Sequence, residues 1–149
     1  TGTVAVNGTG NALNNILTGN NAANQLNGGG GNDKLDGGLG ANRFTGGTGN
    51  DIFKFTTKGH VDTITDFSVA NDTIQLDNAV FTALGPVGTL PAVQFRVGTK
   101  ALDVNDHIIY NSTNGALLYD TDGTGAAAAQ QIATLTAGLA MTNTEFVVI

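Results

Sequence analysis

The first third of the chain places one large apolar residue at every ninth position: Leu17, Leu26, Leu35, Phe44 and Phe53. Gly and Asn fill most of the space between them. A period of nine is not the 3.6 of a helix, nor the alternation of a single half-buried strand. It predicts a solenoid of short turns and three-residue strands, each repeat burying one side chain in a shared stripe. The best copy reads Gly28-Gly29-Gly30-Gly31-Asn32-Asp33-Lys34-Leu35-Asp36, and residues 28–36, 37–45 and 46–54 are three consecutive copies. Residues 10–18 and 19–27 keep the period with less glycine, so the repeat block spans 10–54. Before it, Thr3-Val4-Ala5-Val6 alternates, and residues 1–9 are expected to form a lead-in strand.

After Phe55 the period stops and alternation takes over. Residues 60–67 and 71–76 read as strands, and 93–97 as another beyond a loop holding Pro86 and Pro91. Residues 106–110 and 116–119 flank Asn111-Ser112-Thr113-Asn114-Gly115, a hairpin signature. Residues 126–135 suit a short helix by propensity or a strand entering a sheet. Glu145 precedes Phe146-Val147-Val148-Ile149, an ordinary last strand by pattern.

The sixth residue of each repeat is the informative polar position. It holds Asn15, Asn24, Asp33, Asn42 and Asp51. As isolated residues these fit a turn simply because Asx side chains favour turns. In register with the glycines, residues 28–36 and 46–54 match G-G-x-G-x-D-x-U-x, the calcium-binding nonapeptide, and the other copies carry Asn where that motif has Asp. The chain therefore resembles the carboxy-terminal RTX (repeats-in-toxin, hemolysin-type) module of type I-secreted bacterial proteins.

That resemblance implies an all-β fold, a right-handed parallel β-roll of residues 10–54 followed by a β-rich capping region, residues 55–149. Two nonapeptides then make one coil, and alternate repeats share an edge. One edge carries Asn15, Asp33 and Asp51; the other carries Asn24 and Asn42. In the family, calcium lies between neighbouring turns, held by sixth-position carboxylates and glycine carbonyls, here those of Gly28, Gly30, Gly46, Gly47 and Gly49. Only Asp33/Asp51 keeps both acids, so affinity is expected to fall from that pair to Asn15/Asp33 and then to Asn24/Asn42. The Asn edge is alternatively an amide ladder that tolerates low calcium. The stretch "DTITDF…NDTIQL" resembles the segment closing the roll, which makes Asp62, and then Asp72, candidates for the last site. The alternative is that these two acids only keep a strand face wet. The tail 145–149 resembles the segment read by type I secretion systems, and the family places residues 126–135 in the sheet.

Composition narrows the rest. Six Lys plus Arg against twelve Asp plus Glu give a net charge of −6, which suits cations and argues against nucleic acid. There is no Cys, so no disulfide staples the fold and no thiol nucleophile is available. His60 and His107 are far apart without metal-ligand spacing, and no G-x-S-x-G or P-loop is present. Asp120-Thr121-Asp122-Gly123 could be a second cation loop, although a plain turn accounts for it. No apolar run approaches a membrane span, and no amino-terminal signal peptide is visible. The chain begins at Thr1 rather than Met, as expected for a piece of a longer protein.

The expected function is thus that of a calcium-binding, non-enzymatic module, secreted or at the cell surface, which folds on meeting calcium outside the cell. Expected partners are calcium ions, the type I secretion apparatus and a fused catalytic or adhesive passenger. A rival reading is a self-assembling structural, adhesive or glycan-binding module of a surface layer or matrix.

Overall fold

The computed structural model describes residues 4–149 and is all-β apart from three short 3-10 turns. Of the lead-in strand expected over residues 1–9, only Gly8–Thr9 is a strand among the described residues. Residues 1–3 lie outside the described part, residues 4–7 form no strand, and the first pairing is β1, Gly8–Thr9.

The repeats wind as two strands per coil. β1, β3 (Gln25–Gly30) and β5 (Arg43–Thr48) stack in parallel in one sheet. β2 (Ile16–Thr18), β4 (Lys34–Asp36) and β6 (Ile52–Phe55) stack in parallel in the other. Partners are eighteen residues apart: Gly8, Leu26 and Phe44 align, as do Leu17, Leu35 and Phe53. Strands of opposite sheets thus present every apolar eighth residue to one interior. Leu35, Phe44 and Phe53 are fully buried there, and the Phe44 and Phe53 rings lie 6.0 Å apart. Burying each such side chain contributes roughly 1.5–3 kcal/mol.

Close stacking needs the glycines. Gly47 has φ +99°, and a Cβ there would overlap the carbonyl of Gly29 one coil below. No L-residue fits that turn without moving the backbone.

The non-repeating half continues the same two sheets instead of forming a separate lid. β7 (Asp62–Ile64) joins β5, and β8 (Thr73–Leu76) joins β6, both in parallel. Two distant strands then add in parallel: β13 (Gln130–Thr134) on β7 and β14 (Phe146–Val148) on β8. β9 (Gly88–Thr89) pairs antiparallel with the outer side of β14. β11 (Ile108–Asn111) and β12 (Ala116–Tyr119) form the expected hairpin beside β13, and β10 (Phe95–Val97) closes that sheet. Residues 126–135 resolve as a loop followed by β13, not a helix. One hydrophobic core runs from Leu26 to Val148. No helix among the described residues is long and apolar enough to cross a membrane.

Candidate metal-binding edge

The turns between strands line the two long edges of the roll, and alternate repeats fall on the same edge. Asn15, Asp33 and Asp51 form one column. Its carboxylates are tied by a repeated bond: the Asn15 N–H donates to Asp33 Oδ1 at 2.7 Å, and the Asp33 N–H to Asp51 Oδ1 at 2.8 Å. The column continues beyond the repeats, where the Asp51 N–H donates to Asp72 Oδ1 at 3.0 Å. Asn24 and Asn42 form the opposite column, and Asp62 continues it by accepting from the Asn42 N–H at 2.7 Å. The two closing acids thus divide: Asp72 joins the Asp edge and Asp62 the Asn edge. Their offsets from the repeats, 20 and 21 residues, differ from eighteen, so the period alone could not assign them.

Each carboxylate of the Asp edge uses Oδ1 in the ladder. The second oxygens, Oδ2 of Asp33 and of Asp51, are buried and have no hydrogen-bond partner. Both residues are 1% exposed. A buried charged oxygen left unpaired costs several kcal/mol, so a cation is the natural complement. The turn glycines make room for one. A Cβ on Gly28 would overlap Asp33 Oδ2 and come within 2.6 Å of the Gly46 carbonyl oxygen, and a Cβ on Gly46 would overlap Asp51 Oδ2. A Cβ on Gly10 would likewise overlap Asn15 Oδ1 and the Gly28 carbonyl. Among the described residues no three His, Cys, Asp or Glu side chains gather as a metal group by themselves. A cation here must draw on carbonyl and amide oxygens as well, which suits a hard ion such as calcium.

The electrostatics agree. Burial pushes the Asp51 carboxyl above the ordinary range, and the nearby Asp72, Asp33 and Asp66 carboxylates push it further, against the bond from the Asp33 N–H. Burial also raises Asp72. On the other edge burial carries Asp62 up to about 6, opposed by the Asn42 hydrogen bonds and by His60, whose Nε2 lies 3.8 Å from Asp62 Oδ2.

The remaining glycines named from the pattern serve the stacking. Gly30 pairs with Thr48 across β3 and β5, and Gly49, at φ +131°, lies against the Gly31 carbonyl as Gly47 does against Gly29. Two features escaped the sequence reading. Asp66 accepts the Gly46 and Gly47 N–H groups at 2.9 and 2.8 Å, fixing the last repeat turn. Asn14, Asn32 and Asn50 form an outer ladder, in which the N–H of Asn32 and of Asn50 donates to the Asn Oδ1 one coil below, at 2.8 and 2.9 Å. The eighteen-residue spacing of those asparagines is visible in the sequence and could have revealed them. The loop at residues 120–123 is an ordinary Asx turn, the Asp122 N–H donating to Asp120 Oδ1 at 3.2 Å.

No curated protein matches the chain. Among solved structures it is similar to the AlgE6R3 subunit of the Azotobacter vinelandii mannuronan C5-epimerase. The identity is 24%, over 90% of this chain and 77% of that one, with a TM-score of 0.48. Residues 9–44 and 36–54 match the family model described as RTX calcium-binding nonapeptide repeat (4 copies). With its nonapeptides wound two to a coil, the repeat block of this chain is an RTX calcium-binding β-roll.

Proposed function

We propose that the chain is a non-catalytic module whose fold is completed by calcium along the Asn15–Asp33–Asp51–Asp72 edge. The observation that carries this reading is the pair of buried, unpartnered carboxylate oxygens on Asp33 and Asp51, inside repeats of a calcium-binding family. Asp33 and Asp51 would supply the charge, Asn15 an amide oxygen, Gly28 and Gly46 the room and carbonyls, and Asp72 the closing acid. Bound calcium supplies the positive charge that the column lacks. Without it, stacked carboxylates about 4.8 Å apart repel by roughly 1 kcal/mol in water, and by several at an effective dielectric near 20. That repulsion adds to the large ordering entropy of a Gly-rich chain, so low calcium favours the unfolded state. Calcium at about ten times Kd adds roughly 1.4 kcal/mol per site.

The wider role follows from this gate. Unfolded in a low-calcium cytosol, the chain stays competent for a type I apparatus; outside, calcium folds it and stabilises the larger secreted protein it belongs to. A calcium titration followed by circular dichroism and light scattering tests the reading. We expect a cooperative gain of β-structure, reversed by chelator, in a monodisperse monomer. A fold indifferent to chelator, with no heat of calcium binding, would refute it. A second reading, a glycan-binding or adhesive face, draws on a shallow polar groove on the first sheet lined by Asn7, Gln25, Asn27, Arg43 and Thr45. Calcium-dependent assembly or binding to polysaccharide would favour that reading.

A further inference from the structure

The two edges of the roll satisfy the same backbone in different ways. On the Asn edge the ladder bond persists: Asn42 Oδ1 accepts the Asn24 N–H at 2.9 Å, and Asn24 Oδ1 accepts the Val6 N–H at 2.7 Å. An atom that accepts from a backbone N–H must be the oxygen, so the amide orientation is set by chemistry. The inward atom of each side chain is therefore an NH2. It occupies the place that the orphan Oδ2 holds on the other edge: a Cβ on Gly19 would meet Asn24 Nδ2, and one on Gly37 would meet Asn42 Nδ2, as those on Gly28 and Gly46 meet Asp oxygens.

These NH2 groups are fully used. Asn24 Nδ2 donates to the Ala22 carbonyl at 2.5 Å and to Asn42 Oδ1 at 3.1 Å. Asn42 Nδ2 donates to the Gly40 carbonyl at 2.9 Å and to Asp62 Oδ1 at 3.0 Å. The donors thus take up turn carbonyls and neighbouring side-chain oxygens, the groups a cation would need. The orphaned oxygens of repeat sixth positions belong to Asp33 and Asp51, not to Asn24 or Asn42. Asn15 is different: its Oδ1 turns toward Gly10 and the Gly28 carbonyl, and so presents oxygen to the Asp edge.

We propose that the Asn24–Asn42 edge is a built-in, calcium-independent staple, its side-chain amides standing where the cation stands on the opposite edge. Calcium then controls one edge only, and the identity of the sixth residue sets which. This rests on the reading of the Asp edge given above, and the experiment separates the two.

The test compares the native chain with N24D/N42D and D33N/D51N. Isothermal titration with calcium gives the ion-to-protein ratio, and circular dichroism in chelator gives the residual fold. In N24D/N42D we expect a higher ion ratio than in the native chain, and less structure in chelator, since two donors have become repelling acids. In D33N/D51N we expect fewer ions and a fold less sensitive to chelator. Nuclear magnetic resonance of the calcium-loaded native chain provides a readout independent of any variant's folding: the Asn24 and Asn42 side-chain NH2 protons should be protected from exchange. An unchanged ion ratio in N24D/N42D, or rapidly exchanging Asn24 and Asn42 NH2 groups, would overturn the proposal while leaving calcium binding at Asp33 and Asp51 intact. Failure of the native chain to bind any calcium would overturn the Asp-edge reading and this one together.

Discussion

At the scale of single residues, the deciding chemistry is the difference between a carboxylate and an amide at the sixth place of a repeat. Asp33→Ala or Asp51→Ala should raise the calcium midpoint of folding by about tenfold or more, the equivalent of roughly 1.4 kcal/mol. Asn24→Ala and Asn42→Ala should lower stability in calcium and in chelator alike, and should raise that midpoint much less. Calcium-dependent circular dichroism of the four variants checks this, and equal midpoint shifts from both edges would refute it. The raised acids make a second expectation. A carboxyl held above its unfolded value binds its proton more tightly in the native state, so stability falls as pH rises between the two values. For Asp62 that window runs from about 4 to about 6, and the burial of Asp51 and Asp72 acts in the same direction. Without calcium, the balance should therefore lie closer to the folded state at pH 5 than at pH 7, whereas calcium affinity should weaken over the same drop. Circular dichroism in chelator across that range, showing less residual β-structure at pH 5 than at pH 7, would contradict the first half. The five sixth-position residues were legible because the nine-residue period places them without any tertiary knowledge. The partners of Asp62 and Asp72 were not, since a change of one or two residues in spacing decides which edge a side chain joins.

At the scale of elements, the strands are short and their turns do much of the specifying. Gly47→Ala should cost several kcal/mol in saturating calcium, because a positive φ and an overlap with the Gly29 carbonyl act together. Gly59→Ala, at φ +94° with nothing within 4 Å of the added Cβ, isolates the conformational part and should cost only about 1 kcal/mol. Thermal melts of the two variants side by side measure the difference; similar losses would mean that coil stacking tolerates a side chain. Phe53→Ala, in the fully buried stripe, should cost about 3–5 kcal/mol. The hairpin around residues 111–115 was readable from its turn residues and alternating flanks. The parallel seating of β13 on β7 and of β14 on β8 was not. Those pairings join segments about 70 residues apart, and nothing periodic in the chain announces them.

At the scale of the whole molecule, roll and cap share two continuous sheets and one core, so the carboxy-terminal strand supports the fold. Phe146 and Val148 are buried, and Glu145 closes a capping box by accepting the Thr142 N–H at 2.6 Å. Removing residues 145–149 would strip β8 of its outer neighbour, leaving only β6, and uncover Ile74 and Leu76. We expect a lower melting temperature and dye-binding apolar surface even in calcium, beside any loss of export through a type I apparatus; an unchanged melt would show that β8 needs no partner on its outer side. The two-repeats-per-coil winding has a last consequence, for how such a chain can lengthen. It behaves like a reading frame in space. Duplicating residues 28–45 inserts one whole coil, keeps every downstream strand in its sheet and lengthens the acidic column by one step. Duplicating residues 37–45 alone inserts half a coil and reverses the parity of everything upstream relative to the cap. Asp33 and Asp51 then face opposite sides, and no two repeat acids are neighbours. The longer insertion should leave calcium-driven folding intact and the shorter one should weaken it, leaving Asp51–Asp72 as the only adjacent acids on that edge, so growth of this architecture is quantised in steps of eighteen residues.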